Sequence, residues 1–339
     1  MITISGASGF IGRHLVRRAL SLYKISDLDC LVWDTDKDDE EGRYERNGQQ
    51  ALGTAGIKVI QTDLVSGRGL EGLRKHPKVV FHLAGRTRSD TSFPDQLCND
   101  VGTQNFIKAL APLDSECHVL FTSSYLTMDD RSDFTRPLDE SSPACACSPY
   151  GVTKLRAEEW LKDYARRQGF ALTILRLTTV YGSGARPGSL FVEMKKHILR
   201  GSVLSRLNWP GLITFVHVED VVEALLRFSK TPPKPGESET YIMSTESQTM
   251  ARVSELMHRA LGLPYRSFNL PTAFWKTCSL VGRTKGALQA IVPYWLYFPV
   301  WRGHLLVDNI LWCDTDKVAR SLPGWSPRLL ETTIGETLE

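Results

Sequence analysis

The chain has 339 residues, 42% of them hydrophobic and 23% charged, with a formal net charge of +3. Those proportions belong to a globular protein with room for one nucleotide-sized domain and a smaller lobe. So mild a charge gives no case for nucleic-acid binding, and no apolar run is long enough to span a bilayer.

An apolar strand opens the chain at Met1–Ser5, so no signal peptide is expected and the expected location is cytoplasmic. The turn Gly6-Ala7-Ser8-Gly9-Phe10-Ile11-Gly12 follows, and then a helical run predicted over Ile11–Leu22. Glycines spaced three and three at a strand-to-helix turn let the backbone approach a pyrophosphate, which the helix N-terminus then holds through its N–H groups and partial positive charge. A second strand is predicted at Cys30–Trp33. Asp34 ends it, where a carboxylate can accept both ribose hydroxyls and repel a 2′-phosphate, which favours NAD over NADP; the plain alternative is a turn aspartate. The acidic run Asp34–Glu41 reads as a solvated face.

Further strands are predicted at Ile57–Gln61, Val79–Leu83, Val119–Thr122 and Leu172–Leu175. Helices are predicted at Gln96–Leu110, Tyr150–Gln168, Val221–Phe228 and Val253–Leu261. The alternation implies an α/β fold, a doubly wound parallel sheet of Rossmann-like type with a smaller C-terminal substrate lobe. The dinucleotide domain is expected over 1–182 with a return segment at 214–262, and the lobe from 183–213 and 264–339. Thr231-Pro232-Pro233-Lys234-Pro235-Gly236 reads as a surface linker. Seven scattered cysteines, an odd number, argue against a disulfide framework, and Cys145-Ala146-Cys147 reads as two loop thiols rather than half a metal site. No metal is expected.

Tyr150 and Lys154 are four residues apart at the head of a helix and therefore share one face. A phenol ordinarily titrates near pH 10, and an adjacent ammonium favours the phenolate, so the pair can exchange a proton with an alcohol or ketone.

Taken together, these residues resemble the extended short-chain dehydrogenase/reductase family of nucleotide-sugar epimerases and reductases. Gly6, Gly9 and Gly12, with Ser8, Phe10 and Ile11, match the glycine loop, and Asp63-Leu64 matches the site of the adenine amino group. His82-Leu83-Ala84-Gly85 matches the run passing under the cofactor, and Asn99 the following helix. Thr122-Ser123-Ser124 matches the end of the fifth strand, where Ser124 is the expected catalytic hydroxyl beside Tyr150 and Lys154. Arg176–Gly182, including Thr178, matches the stretch beside the nicotinamide, and Phe215–Val221 the late return to the sheet.

The resemblance also implies what is missing. Dehydratases carry an Asp-Glu pair where this chain has Tyr125-Leu126, and many 4-epimerases carry an arginine where it has Thr214. A softer likeness points to epimerases and 4-keto reductases of UDP-N-acetylamino sugars. Arg86, Arg186, Arg206 and Arg302, with Ser124 and Thr178, are the substrate-binding candidates, arginine being suited to gripping a diphosphate. A homodimer is an open assembly. A ketone reductase or alcohol dehydrogenase for an apolar molecule, and a dinucleotide-binding regulator without turnover, remain as alternatives. The aromatic stretch Ile291–Trp301 could stack on a uracil, line a pocket or meet a membrane interface, the plainer reading being lobe core or a subunit contact.

Overall fold

The computed structural model describes residues 1–87, 93–131, 133–283, 293 and 303–338. Nearly all of the 291–301 aromatic stretch therefore lies outside the described residues.

Ten strands run in chain order: β1 Ile2–Ser5, β2 Leu28–Trp33, β3 Val59–Thr62, β4 Val79–His82, β5 His118–Ser124, β6 Ala171–Leu177, β7 Thr179–Tyr181, β8 Leu212–His217, β9 Ser238–Met243 and β10 Glu246–Thr249. Seven of them form one parallel sheet in the order β3-β2-β1-β4-β5-β6-β9. Chain order reverses between β1 and β4, which opens a crevice beyond the strand ends. The register aligns Ser5 with His82 and His82 with Phe121, so the glycine turn, the segment after β4 and the end of β5 emerge on one edge.

Among the described residues the longer helices that accompany the strands are α1 Phe10–Ala19, α2 Glu40–Thr54, α3 Thr103–Leu110, α4 Pro149–Gln168, α5 Leu190–Leu199, α6 Val218–Phe228, α7 Met250–Ala260 and α8 Thr272–Arg283. Both faces of the parallel sheet are covered, which is why its strands read as near-continuous apolar runs. On one face Leu15, Val16 and Ala19 of α1 pack with Val221, Val222 and Leu225 of α6. On the other, Phe106, Ile107 and Leu110 of α3 pack with Ala157, Leu161 and Ala165 of α4.

A second sheet has the order β10-β8-β7, with β8 parallel to β7 and antiparallel to β10. The expected return of Phe215–Val221 to the large sheet is not what the chain does. β8 is the middle strand of the small sheet, and β9, directly after the proline-rich linker, completes the large one. Thr214 shows the reason. Its hydroxyl lies 2.6 Å from that of Ser247 on β10 and accepts from Cys313 N at 2.8 Å, so β8 is paired on terms the large sheet cannot offer. A third core lies under this sheet, formed by Tyr181, Phe191, Phe215, Met250, Val253 and residues as late as Ile334. Among the described residues no helix is long and apolar enough to cross a membrane.

Candidate active site

The glycine turn is built by close approach. Gly6 has φ +72°, and a Cβ there would stand 2.8 Å from Ala84 N; one on Gly12 would stand 2.0 Å from Gly6 O. Only glycine lets β1, α1 and the segment after β4 come this near. Gly9 caps α1 with no side-chain hydrogen bond, which leaves the first-turn N–H groups of Phe10, Ile11 and Gly12 to an incoming anion.

The structure adds α2 to this turn, a helix that begins at the end of the acidic run Asp34–Glu41 and that the sequence did not announce. Ser8 Oγ donates to Glu45 at 2.6 Å, and burial raises the Glu45 carboxyl above its usual range. Arg13 stacks 4.5 Å over the Tyr44 ring and also hydrogen-bonds its hydroxyl, while Tyr44 donates to Gly184 O at 2.8 Å. Charge composition hid this helix, and its contact residues were not among the sequence candidates.

Asp34 follows β2 as expected, but its carboxylate lies 2.7 Å from Arg68. Asp63 accepts from Val65 N at 2.9 Å, which shapes the turn after β3, and Leu64 is buried beside α3. After β4, Leu83 and Ala84 pack into the two flanking cores, and Gly85 lies over the lysine: a Cβ there would be 2.8 Å from Asn99 Oδ1 and 3.0 Å from Lys154 Nζ. Asn99 holds this segment by accepting from Arg86 N and donating to Arg86 O, both at 2.9 Å. To do so it sits in a π-helical turn, Cys98–Gly102, that interrupts the expected single helix Gln96–Leu110. His82, fully buried and held well below its usual pKa by desolvation and the Lys154 charge, lies 2.6 Å from Ser5 Oγ and 2.8 Å from Thr103 Oγ1.

Serine capping and proline at its first position start α4, and Ser148 accepts from Gly151 N at 3.1 Å, so Tyr150 sits in its first turn. Tyr150, Lys154 and Ser124 are all buried, and the Ser124 hydroxyl acts on the phenol to lower its pKa. Lys154 Nζ donates to Thr122 O at 3.0 Å and lies 4.7 Å from the Phe121 ring centroid. Burial lowers its pKa to about 8, against opposing effects from Cys98 and Glu158.

One expectation changes here. Burial raises the Tyr150 phenol above its usual range, and the opposing effects come from the Ser124 hydrogen bond and the Arg186 charge rather than from Lys154. The lysine is occupied by the Thr122 carbonyl, while Arg186, which donates to Thr87 O at 3.1 Å, is near enough to act on the phenol.

The other candidates divide. Thr122 donates to His82 O at 3.2 Å. Ser123 turns away from the cofactor edge and donates to Glu158 at 2.5 Å, where Arg176 also binds Glu158 at 2.8 Å. Sequence reasoning passed over Glu158, although it lies four residues beyond Lys154 on the same helical face. Thr178 donates to Met243 O at 2.9 Å and is tied into β9. Arg86 pairs with Glu41 at 3.5 Å. Arg206 ends the short helix Val203–Arg206 beside α7, and Arg302 lies outside the described residues. Among the described residues no cluster of three or more His, Cys, Asp or Glu could hold a metal.

A glycine turn and buried Ser124, Tyr150 and Lys154 lie at the strand ends of a doubly wound sheet, the arrangement of the Rossmann class. The chain belongs to the NAD dependent epimerase/dehydratase family, whose profile it matches over residues 2–243, and NAD is the cofactor of that family. It is 27% identical over 251 residues to the dTDP-D-glucose 4,6-dehydratase of Mus musculus, covering 70% of this chain and 66% of that one. It is 26% identical over 248 residues to UDP-glucuronate 4-epimerase 4 of Arabidopsis thaliana, covering 69% and 54%. The chain thus spans about half to two thirds of the length of these curated relatives. In fold it is similar to the crystal structure of UDP-glucuronic acid 4-epimerase from Bacillus cereus in complex with UDP-glucuronic acid and NAD, with a TM-score of 0.72, 20% identity and coverage of 99% and 97%.

Proposed function

We propose that this chain is a nucleotide-sugar epimerase or 4-keto reductase acting at a secondary alcohol or ketone carbon, with Tyr150 as acid and base. The observation that carries this reading is the burial of Tyr150, Ser124 and Lys154 at the ends of β5 and α4, with Lys154 beneath Gly85. The residues fit the dinucleotide: the uncapped turn Gly6–Gly12 for the pyrophosphate, Asp34 for the ribose, Asp63 for the adenine edge, Asn99 and Lys154 under the nicotinamide half. NAD supplies, when bound, the acceptance and return of a hydride. Tyr150 moves the proton of the sugar hydroxyl, Ser124 steadies the reacting oxygen, and the Lys154 ammonium keeps positive charge behind the site.

The place where dehydratases use a second acid/base pair holds Tyr125, whose hydroxyl lies 2.8 Å from Thr179 Oγ1 and whose pKa burial raises. That favours epimerisation or reduction over water elimination. For the cofactor, Asp34 supports NAD over NADP, with Arg68 turning aside to release the carboxylate. Calorimetric titration of both dinucleotides tests this, and tighter NADP binding would remove Asp34 from the role.

For the substrate we propose a UDP-sugar, N-acetylated, between the sheet edge and a lobe formed by 183–213 and 264–339. Arg186 is its best-placed arginine, since its charge reaches Tyr150. Thr214, buried where a diphosphate arginine is common, favours a second reading, a reductase for an apolar ketone. Thermal melting in saturating NAD separates the two. A ligand at a hundred times its dissociation constant adds about 2.7 kcal/mol. UDP and UDP-sugars are expected to raise the melting temperature; a shift with apolar ketones alone would replace the first reading by the second.

A further inference from the structure

Two stretches of this chain carry basic side chains and no acidic ones. Between Glu193 and Glu219 there is no Asp or Glu, and between Glu255 and Asp308 there is none either. The structure brings the two stretches together. Leu207 bridges to Phe268, Asn208 donates to Asn269 at 2.7 Å, and the Trp209 and Trp275 rings lie 5.4 Å apart.

Helix α8 is anchored there on one side, with Trp275, Cys278 and Ser279 half-buried and Ser279 Oγ donating to Asp308 at 2.7 Å. Its other side carries Phe274 and Leu280, 47% and 66% exposed, with Lys276 between them. Beside it Leu199, Val203 and Leu204 are each more than half exposed. The outward face of a surface helix is ordinarily polar. Here Phe274 and Leu280 share it with Lys276 and Thr277, and Arg200, Arg206, Arg266 and Lys276 on these two stretches make no ion pair among the described residues, whereas Lys196 and Arg259 are paired with Glu193 and Glu331.

A second copy of the chain is a poor occupant. A two-fold contact would set these cations against their own counterparts with no carboxylate in either stretch to offset them. Exposed apolar side chains, Phe274 among them, on stretches that carry basic residues and no acidic ones complement a lipid surface that carries negative charge.

We propose that this face docks on an anionic membrane surface, with Phe274, Leu280 and Leu204 at the headgroup boundary and the surrounding arginines and Lys276 pairing with lipid phosphates. Each cation near such a surface contributes about 1 kcal/mol, lost as salt screens it. The test is co-sedimentation of the full chain with vesicles of phosphatidylcholine alone or mixed with phosphatidylglycerol. Binding is expected only to the mixed vesicles, falling with salt. Lys276→Glu and the pair Phe274→Ser, Leu280→Ser should each weaken it by about tenfold or more, with unchanged melting and NAD binding. Equal sedimentation of all variants, or no binding to mixed vesicles, overturns the proposal. So does a change of oligomeric state in the Phe274→Ser, Leu280→Ser protein without loss of vesicle binding, which would make the face a subunit contact.

Discussion

Lys154 is pulled in two directions. Burial brings its pKa down to about 8, and Glu158, one helical turn further along α4, holds it from falling more. In the unfolded chain a lysine titrates near 10.4. The folded value is the lower one, so the buried ammonium destabilises the fold at neutral pH, and that penalty lifts as pH rises from about 8 towards 10.4. Activity that needs the ammonium is lost over the same rise. Removing the Glu158 charge lowers the Lys154 pKa further, so Glu158→Gln should move the alkaline limb of the rate profile to lower pH. The same change strips Arg176, 4% exposed, of its counter-charge, and urea denaturation should show a loss of about 3 kcal/mol. A stability loss with an unmoved pH profile would make Glu158 a structural residue only. Tyr150→Phe removes the proton carrier and nothing that touches the glycine turn. Turnover is expected to fall by roughly a hundredfold or more while calorimetric NAD affinity holds; near-normal turnover would end the proposed mechanism. The Tyr-Lys spacing made both residues legible in the sequence. The charge that acts on the phenol was not, because Arg186 reaches it from a loop more than thirty residues later in the chain.

At the level of elements, α2 is the instructive case. It contains Gly42, Gly48 and Gly53 and a run of charges, a composition that disfavours helix, and no helix is expected there from the sequence. Tertiary contact explains two of those glycines. A Cβ on Gly48 would meet Ser8 O at 2.3 Å, and one on Gly42 would meet Lys37 O at 2.0 Å, whereas Gly53 has nothing within 4 Å. The contrast gives a paired expectation. Gly53→Ala should stabilise the protein by about 0.4–1 kcal/mol. Gly48→Ala should destabilise it by about 1–3 kcal/mol and weaken NAD binding, because α2 must withdraw from the glycine turn. Thermal melting and calorimetry of the two variants check it; equal effects would show that α2 does not brace the turn. Six strands of the large sheet were legible to within a few residues because burial on both faces writes itself as apolar runs, whereas the edge strand β9, half-exposed and polar at its start, was not. The π-helical turn at Asn99 was not, since the clamp on Arg86 that requires it depends on a residue thirteen positions away.

Across the whole molecule, most of the parallel sheet and its glycine turn could be read from order and spacing, while Ser124 was picked out only by the family resemblance. The division into two sheets could not. β8 has the apolar run of a central strand in either sheet, and what selects the small one is pairing with Ser247 and Cys313, distant in sequence. The loop that leaves this small sheet after β7 is tied at several points. Ser183 O lies 3.0 Å from His14 Nε2 on α1, Gly184 O accepts from Arg13 and Tyr44, and Arg186 reaches Thr87 beyond β4. The segment proposed to face the sugar is thus laced to the helix whose N-terminus is proposed to hold the pyrophosphate. Whatever free energy one ligand gains by settling those ties, the other must gain equally when it arrives second. On the proposed epimerase reading, an enzyme that returns its hydride to the same sugar has a use for that reciprocity: an occupied sugar site would help to keep the borrowed electrons from leaving with their carrier.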